Sequence, residues 1–366
     1  MRIALLAPFE EPVPPPKYGG TERVVSSLAE GLVRLGHDVT LLASGDSHTS
    51  AHLVPCVETS LRQYIEKNQR TWYYLEWRGF HHALQHLRAN RYDVVHNHGG
   101  WPFLIAGTFT NAPMLTTIHN PVQFNLGVRA IYRQYSYVSI SDAERKYLPT
   151  LKYEATVHHG IDVDEFEYNS KPRDYLAFLG RIDPDKGIEQ AIEIARASKS
   201  KLLIAARIDV HQRHYFRKII KPLIDGRQIV FIGEVAHAGK VQLLKNARAL
   251  LSPIQWDEPF GLTNVEAMAC GTPVIATARG ALPEIVADGE TGYLCKTVKQ
   301  MVTRVADVDR LSRRACRKRA ERYFSTDCMV KNYVKVYEKV AQTYKPPAMV
   351  KRLKIKQPDA DASPDS

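Results

Sequence analysis

Short apolar runs alternate with amphipathic stretches along this chain, and halfway through the alternation starts again. Ile3–Ala7 is an unbroken apolar run of the kind buried on both faces of a sheet. A proline-rich loop follows and ends in Tyr18-Gly19-Gly20-Thr21. From Glu22 to Leu35 the residues Val24, Val25, Leu28, Leu32 and Leu35 recur at helical spacing, Gly36 takes the C-cap position, and Val39–Ala43 supplies the next strand. Further strands are expected at Asp93–His96, Met114–Ile118, Tyr137–Ile140 and Ala155–Val157, with a turn at His159-Gly160-Ile161-Asp162.

Glu165–Asp174 is polar, contains Pro172 and reads as a linker. The pattern then restarts, with strands expected at Tyr175–Leu179, Leu202–Ala206, Ile229–Ile232, Leu250–Ser252 and Val274–Ala276. Helices are expected at Gly187–Ser198, Lys240–Ala247 and Asn264–Cys270. A doubled alternation predicts an α/β protein with two parallel sheets, each covered by helices on both faces. The expected division is 1–168 and 169–326. A last helix, about Asp327–Tyr344, has Val330, Tyr333, Val334, Tyr337 and Val340 on one face and is expected to pack back toward the first half. The polar tail 346–366 is expected to be disordered.

A chain of 366 residues has room for two domains. Its 50 Lys and Arg against 39 Asp and Glu give a formal charge of +11, which suits a nucleotide phosphate, nucleic acid or acidic membrane surface as partner. The densest basic run, Arg313-Arg314, Arg317-Lys318-Arg319 and Arg322, reads as a solvated helix face. It lacks interleaved aromatics for stacking bases, so no nucleic acid is expected. The five cysteines are far apart and form no C-x-x-C pair, which suggests neither a zinc site nor a disulfide framework and fits a reducing cytoplasm. Neither a signal-peptide core nor a run of membrane-spanning length is found. The expected location is cytoplasmic, with peripheral contact to an anionic membrane left open.

The segment with most chemical content runs from Trp256 to Ala276. A helix starting near Asn264 offers unpaired amide groups and the positive end of its dipole to an anion, and Gly261 lets a ligand approach the backbone. Glu266 is expected in the first turn, where a carboxylate can accept two hydrogen bonds from a cis-diol such as a ribose. Glu258 lies eight residues earlier, in the preceding loop, within reach of hydroxyls beyond the phosphates. Two carboxylates around a diphosphate need cations. Gly180-Arg181-Ile-Asp-Pro-Asp-Lys186-Gly187 supplies them at the carboxyl end of a strand, where open α/β sheets bind ligands. On the other half, Gly19-Gly20 precedes a helix and could close over the phosphates; the spacing is not that of a dinucleotide-binding fingerprint. His119 ends a strand facing the same cleft. His96 and His98 are expected to project to opposite sides of a strand, which disfavours chelation. Asp183-Pro-Asp185 and Asp162-Val-Asp164 spell D-x-D by chance, and no metal site is expected.

Glu258-Pro-Phe260-Gly261 with Glu266 eight residues after the first glutamate resembles the signature of family 4 glycosyltransferases. The resemblance covers nearly the whole chain, from Tyr18-Gly-Gly-Thr-Glu-Arg to Pro283-Glu284-Ile-Val and Gly289-Glu-Thr-Gly292. It looks nearest to a bacterial branch described as acting on small natural products or pterins, similar to tetrahydrobiopterin glucosyltransferases. It implies the GT-B fold, two Rossmann-like domains facing a central cleft, and retention of anomeric configuration. It further implies that Glu258 contacts the donor sugar, Glu266 the ribose, Phe260, Gly261, Leu262 and Thr263 offer backbone amides, Arg181 and Lys186 hold the diphosphate, and His119 lies beside the sugar.

The function expected on these grounds is metal-independent transfer of a hexose from a nucleotide diphosphate sugar, which is a co-substrate rather than a cofactor. Glucose and uridine are the first choices and GDP-mannose the next. The acceptor is a small molecule, glycan or lipid, with Tyr18, Trp101 and Phe124 candidates for its pocket by location alone. A nucleotide-sugar epimerase or hydrolase of the same fold, or a basic membrane or nucleic-acid binder without catalysis, are the competing readings.

Overall fold

The computed structural model describes residues 1–17, 19–67, 69–108, 110–119 and 135–344. Tyr18, Phe124 and the tail 346–366, on which expectations were placed, lie outside them. The described residues form two parallel sheets. The first has seven strands in the order β3-β2-β1-β4-β5-β6-β7, with β1 at Arg2–Leu6, β2 at Asp38–Ser44, β3 at His52–Val57, β4 at Val94–Asn97, β5 at Met114–Thr117, β6 at Ser136–Ser139 and β7 at Lys152–Thr156. The second has six in the order β10-β9-β8-β11-β12-β13, with β8 at Leu176–Arg181, β9 at Leu202–Arg207, β10 at Ile229–Gly233, β11 at Ala249–Ser252, β12 at Val274–Thr277 and β13 at Gly292–Cys295.

Both faces of each sheet are buried, which is why the strands read as continuous apolar runs rather than alternating ones. In β1, Ile3 and Leu5 join a core with Val25, Leu28 and Leu32 of the helix Gly20–Arg34. Ala4 and Leu6 face the opposite core, with Phe80, Ala83 and Leu87 of the helix Thr71–Ala89. The second sheet repeats this: Leu176, Leu202 and Ile204 meet Ile188 and Ile192, while Ala177, Leu250 and Val274 meet Val265 and Phe324. The sequence reading passed over β3, β13 and the helix Thr71–Ala89. The helix carries exposed Tyr73, Tyr74 and Trp77, and these large apolar residues off the buried face blurred its helical period.

The last helix, Thr326–Thr343, returns to the first sheet. Its Met329, Val330, Tyr333, Val336, Tyr337 and Val340 are buried there against the helix Gly20–Arg34. The return is anchored where Ile161 N donates to Phe324 O at 2.9 Å and Thr326 N donates to Ile161 O at 2.8 Å. Just before it, the helix Arg313–Phe324 corrects the reading of the basic run. Arg313 donates to the carbonyls of Asn169, Ala247 and Lys245, Arg317 to those of Phe166 and Ala269, and Arg319 to those of Glu284 and Ile285. These three arginines satisfy loop and helix-end carbonyls; only Arg314, Lys318 and Arg322 form the exposed face.

Gly31 is the contact point of the two packed helices, because a Cβ there would lie 2.5 Å from Val330 Cγ2. Gly31→Ala is expected to lower stability by about 1–3 kcal/mol through overpacking. Thermal unfolding should show the loss, and Val330→Ala in the same chain should restore most of it.

Candidate active site

The carboxyl ends of the two sheets face each other across a cavity of about 550 Å³. Every residue that the sequence nominated for chemistry reaches it: Gly19, Gly20 and His119 from the first half, and Arg181, Lys186, Glu258, Phe260–Thr263 and Glu266 from the second. Parallel strands deliver their ends to one edge, so residues far apart in sequence converge there.

On the second wall, β8 ends in Arg181 and leads into a single turn, Pro184–Lys186. The Asp183 carboxylate accepts the Asp185 amide at 3.0 Å, and the Asp162 carboxylate accepts the Asp164 amide at 3.1 Å. Both D-x-D triplets therefore contain a local turn cap. Gly187 has φ 73°, and a Cβ there would lie 1.9 Å from Pro253 O, so only glycine lets the loop close against the strand end. Lys186 Nζ then meets Glu258 Oε2 at 2.5 Å and lies 5.3 Å from the centre of the Trp256 ring. Trp256 Nε1 donates to the same carboxylate oxygen at 2.9 Å. Arg181 has Asp209 at 3.6 Å and Asp183 at 4.0 Å, while its Nε is buried without a partner among the described residues.

The helix Leu262–Ala269 begins two residues earlier than expected, directly after Gly261, whose φ of 98° sets its N-terminus. Its amides at Leu262 and Thr263 are the first of the turn and have no carbonyl within the helix to bond. Glu266 consequently sits past the first turn. It pairs with Lys240, which projects from the helix His237–Asn246 into the same cavity. The sequence reading placed Lys240 on a helix but gave it no function; nothing in the local spacing links it to Glu266. Phe260 is a core residue: its ring is 2% exposed and packs on His159 and Phe324, so only its backbone is available to a ligand.

On the first wall the expectation that His96 and His98 diverge is overturned. Residues two apart along a strand share a face, and at the end of β4 His98 Nε2 lies 3.1 Å from His96 Nδ1. The chain of rings continues: His98 Nδ1 to His119 Nε2 at 2.8 Å, and His119 Nδ1 to His159 Nε2 at 3.3 Å. At the inner end His96 bonds to Tyr337 at 2.6 Å and to Thr117 at 2.8 Å, and Thr117 bonds to Tyr333 at 2.9 Å. Four histidines thus run in file from the cleft to the last helix. Burial forces all four toward the neutral form, His119 down to about 3, with the neighbouring rings lowering the other three further. With both nitrogens engaged by other rings, His119 is not a proton acceptor as it stands, and only its ring edge remains for a substrate.

The walls are joined at two places. Glu284 accepts the amides of Asp142 at 3.0 Å and Ala143 at 2.8 Å and pairs with His158 at 3.0 Å, while Ser141 donates to Pro259 O at 2.7 Å. Burial raises the Glu284 carboxyl, but these donors outweigh it and hold the group below its ordinary range. At the other end of the cleft Arg62 reaches Glu234 at 3.4 Å and Arg207 reaches Glu11 at 3.8 Å.

Known proteins resemble this chain along most of its length. Residues 18–165 match the model "Glycosyltransferase Family 4" and residues 161–323 match "Glycosyl transferases group 1". A phosphatidyl-myo-inositol mannosyltransferase from Mycobacterium leprae is 26% identical, covering 93% of this chain and 97% of the relative. A sucrose-phosphate synthase from Thermosynechococcus elongatus superposes with a TM-score of 0.77 at 22% identity over 94% of this chain and all of that one. The Anabaena protein HepE, solved with UDP and glucose, gives 0.70 at 17% identity over 93% and 100%. The chain belongs to the family 4 type of glycosyltransferases and has the GT-B fold. It is a glycosyltransferase enzyme. No helix among the described residues is long and apolar enough to cross a membrane.

The buried histidines make stability depend on pH. An unfolded histidine takes up its proton near pH 6.5, whereas His119 in the fold holds out to about 3. Between these values the unfolded state binds more protons, so stability falls as pH falls below about 6.5. Melting temperatures across pH 4 to 8 should show that slope, and His119→Gln and His98→Gln should flatten it.

Proposed function

We propose that the enzyme transfers a hexose, with glucose the first choice, from UDP to a hydroxyl held against the first-sheet wall. We propose further that it does so with retention and without a metal ion. The reading is carried by one arrangement: Arg181, Lys186 and the free amides after Gly261 converge beside Glu258 and Glu266 on the second wall. Cations and unpaired amides suit a diphosphate, and the flanking carboxylates suit the hydroxyls at its two ends, a ribose toward Glu266 and a hexose toward Glu258. Lys186 and Glu258 neutralise each other. An incoming diphosphate offers Lys186 a second anion and leaves Glu258 oxygens to accept sugar hydroxyls. UDP as carrier is supported by HepE, whose structure holds UDP and glucose; GDP-mannose comes next, by likeness to a mannosyltransferase.

In the proposed step the bond from sugar C1 to the β-phosphate oxygen breaks, and negative charge grows on that oxygen. Arg181, Lys186 and the Leu262 and Thr263 amides stabilise it without reorganising, as fixed dipoles and charges do in a water-poor site. The acceptor hydroxyl attacks C1 from the face being vacated, and its proton passes to the departing phosphate oxygen. His119 takes no proton in this scheme, in keeping with its two occupied nitrogens.

Thermal-shift screening in excess chelator should show stabilisation by UDP-glucose or another sugar nucleotide; binding that appears only with added divalent ion would defeat the reading. Arg181→Ala and Lys186→Ala should each lower kcat/KM by about 10- to 100-fold, the effect of one charge-assisted contact. Proton NMR of the first-formed product should show the donor's anomeric configuration, and the opposite configuration would rule out front-face attack.

A further inference from the structure

Glu266 is engaged through one oxygen only. Its Oε1 pairs with Lys240 Nζ, and among the described residues no donor reaches its Oε2. Both side chains are largely buried, 5% exposed for Glu266 and 12% for Lys240, yet both line the cavity. Lys240 comes from the helix His237–Asn246, and its ammonium lies 5.2 Å from the centre of the Phe166 ring, which is itself in the core. An ammonium group carries three donors, and the pairing with Glu266 uses one. The pair therefore presents, side by side at the cavity wall, a carboxylate oxygen still able to accept and N–H groups still able to donate.

A nucleoside diphosphate offers three kinds of polar group, and the pair suits one of them best. Phosphate oxygens only accept: they would fill Lys240 but stand against the charge of Glu266. Position separates the ribose from the base. Glu266 lies one turn past the Leu262 and Thr263 amides, roughly 5 Å of helix rise, and its side chain tilts back toward them. The ribose adjoins the diphosphate, whereas the polar edge of a base lies on the far side of the ribose. A hydroxyl both donates and accepts, so of two neighbouring hydroxyls one can donate to Oε2 while the other accepts from Nζ. A carboxylate alone could only take protons from both; the lysine adds the donor that the acid lacks.

We propose that Lys240 is a ribose-binding residue of the donor site, reading the vicinal diol jointly with Glu266: one hydroxyl donates to Glu266 Oε2 and its neighbour accepts from Lys240 Nζ. The inference rests on the reading of this wall as the donor site and adds to it a residue from a different helix.

The test is calorimetric titration of UDP and of 2′,3′-dideoxyuridine diphosphate, which keeps the base and the diphosphate but lacks both hydroxyls. The native protein should bind UDP at least about thirtyfold more tightly, the effect expected of two contacts to charged groups. Lys240→Met should weaken UDP by about tenfold and the dideoxy analogue by less than about threefold. Lys240→Met combined with Glu266→Gln removes both charges at nearly constant volume, an exchange that folds commonly tolerate, and should bring the two ligands within about threefold of each other. A margin that survives both variants overturns the proposal, because other groups then hold the hydroxyls. An equal loss for both ligands in Lys240→Met also overturns it, because the pair is then only a strut. Equal binding of the two ligands to the native protein overturns it as well, while leaving the diphosphate site standing. Failure of UDP itself to bind overturns the donor reading, and the inference with it.

Discussion

The Lys186–Glu258 ion pair, 2.5 Å long and largely shut off from solvent, is the contact around which the donor wall is arranged. Burying two charges is unfavourable unless each has a partner and its remaining valences are filled. Here the partner comes from across the sheet edge, and Trp256 fills a further valence by donating to the same oxygen. The glycines at 187 and 261 let the two loops come that close, since each has a positive φ and neighbours that a side chain would strike. The pairing also balances the two charges against each other.

The two walls differ in how their charges are balanced. On the second wall Lys186 has Glu258, Lys240 has Glu266 and Arg181 has Asp209 within 3.6 Å, so cations and anions are matched. On the first wall Glu10, Glu11 and Glu22 stand beside Lys17 and Arg23, and three histidines held neutral by burial, His98, His119 and His159, line the same cavity. The proposed donor, a large anion with hydroxyl-bearing ends, suits one matched set of charges.

The histidine file and the last helix belong to one structural device. Tyr333 and Tyr337 stand on a helix that leaves the second half at Ser325 and packs on the first sheet. Their hydroxyls close the inner end of the file through Thr117 and His96. The orientation of His119 in the cleft thus depends on a segment more than two hundred residues later in the chain. A local reading of Thr116-Thr-Ile-His119 cannot supply that dependence.

Much of this was legible from the chain alone. Strands buried on both faces leave apolar runs, and helices leave a period, so both sheets could be read, apart from β3 and β13. Gly261, Glu258, Glu266, Arg181 and Lys186 stood out because their chemistry is packed into two short segments, where spacing along the chain approximates spacing in space. Tertiary structure alone decided everything that depends on a partner from another strand or helix. It put Lys240 on Glu266, filed His119 between His98 and His159, turned Arg313, Arg317 and Arg319 inward to loop carbonyls, and brought Glu284 onto the amides of Asp142 and Ala143. The physical reason is common to all four: a side chain's charge state and availability are set by the groups that burial brings against it, and parallel sheets draw those groups from distant parts of the sequence.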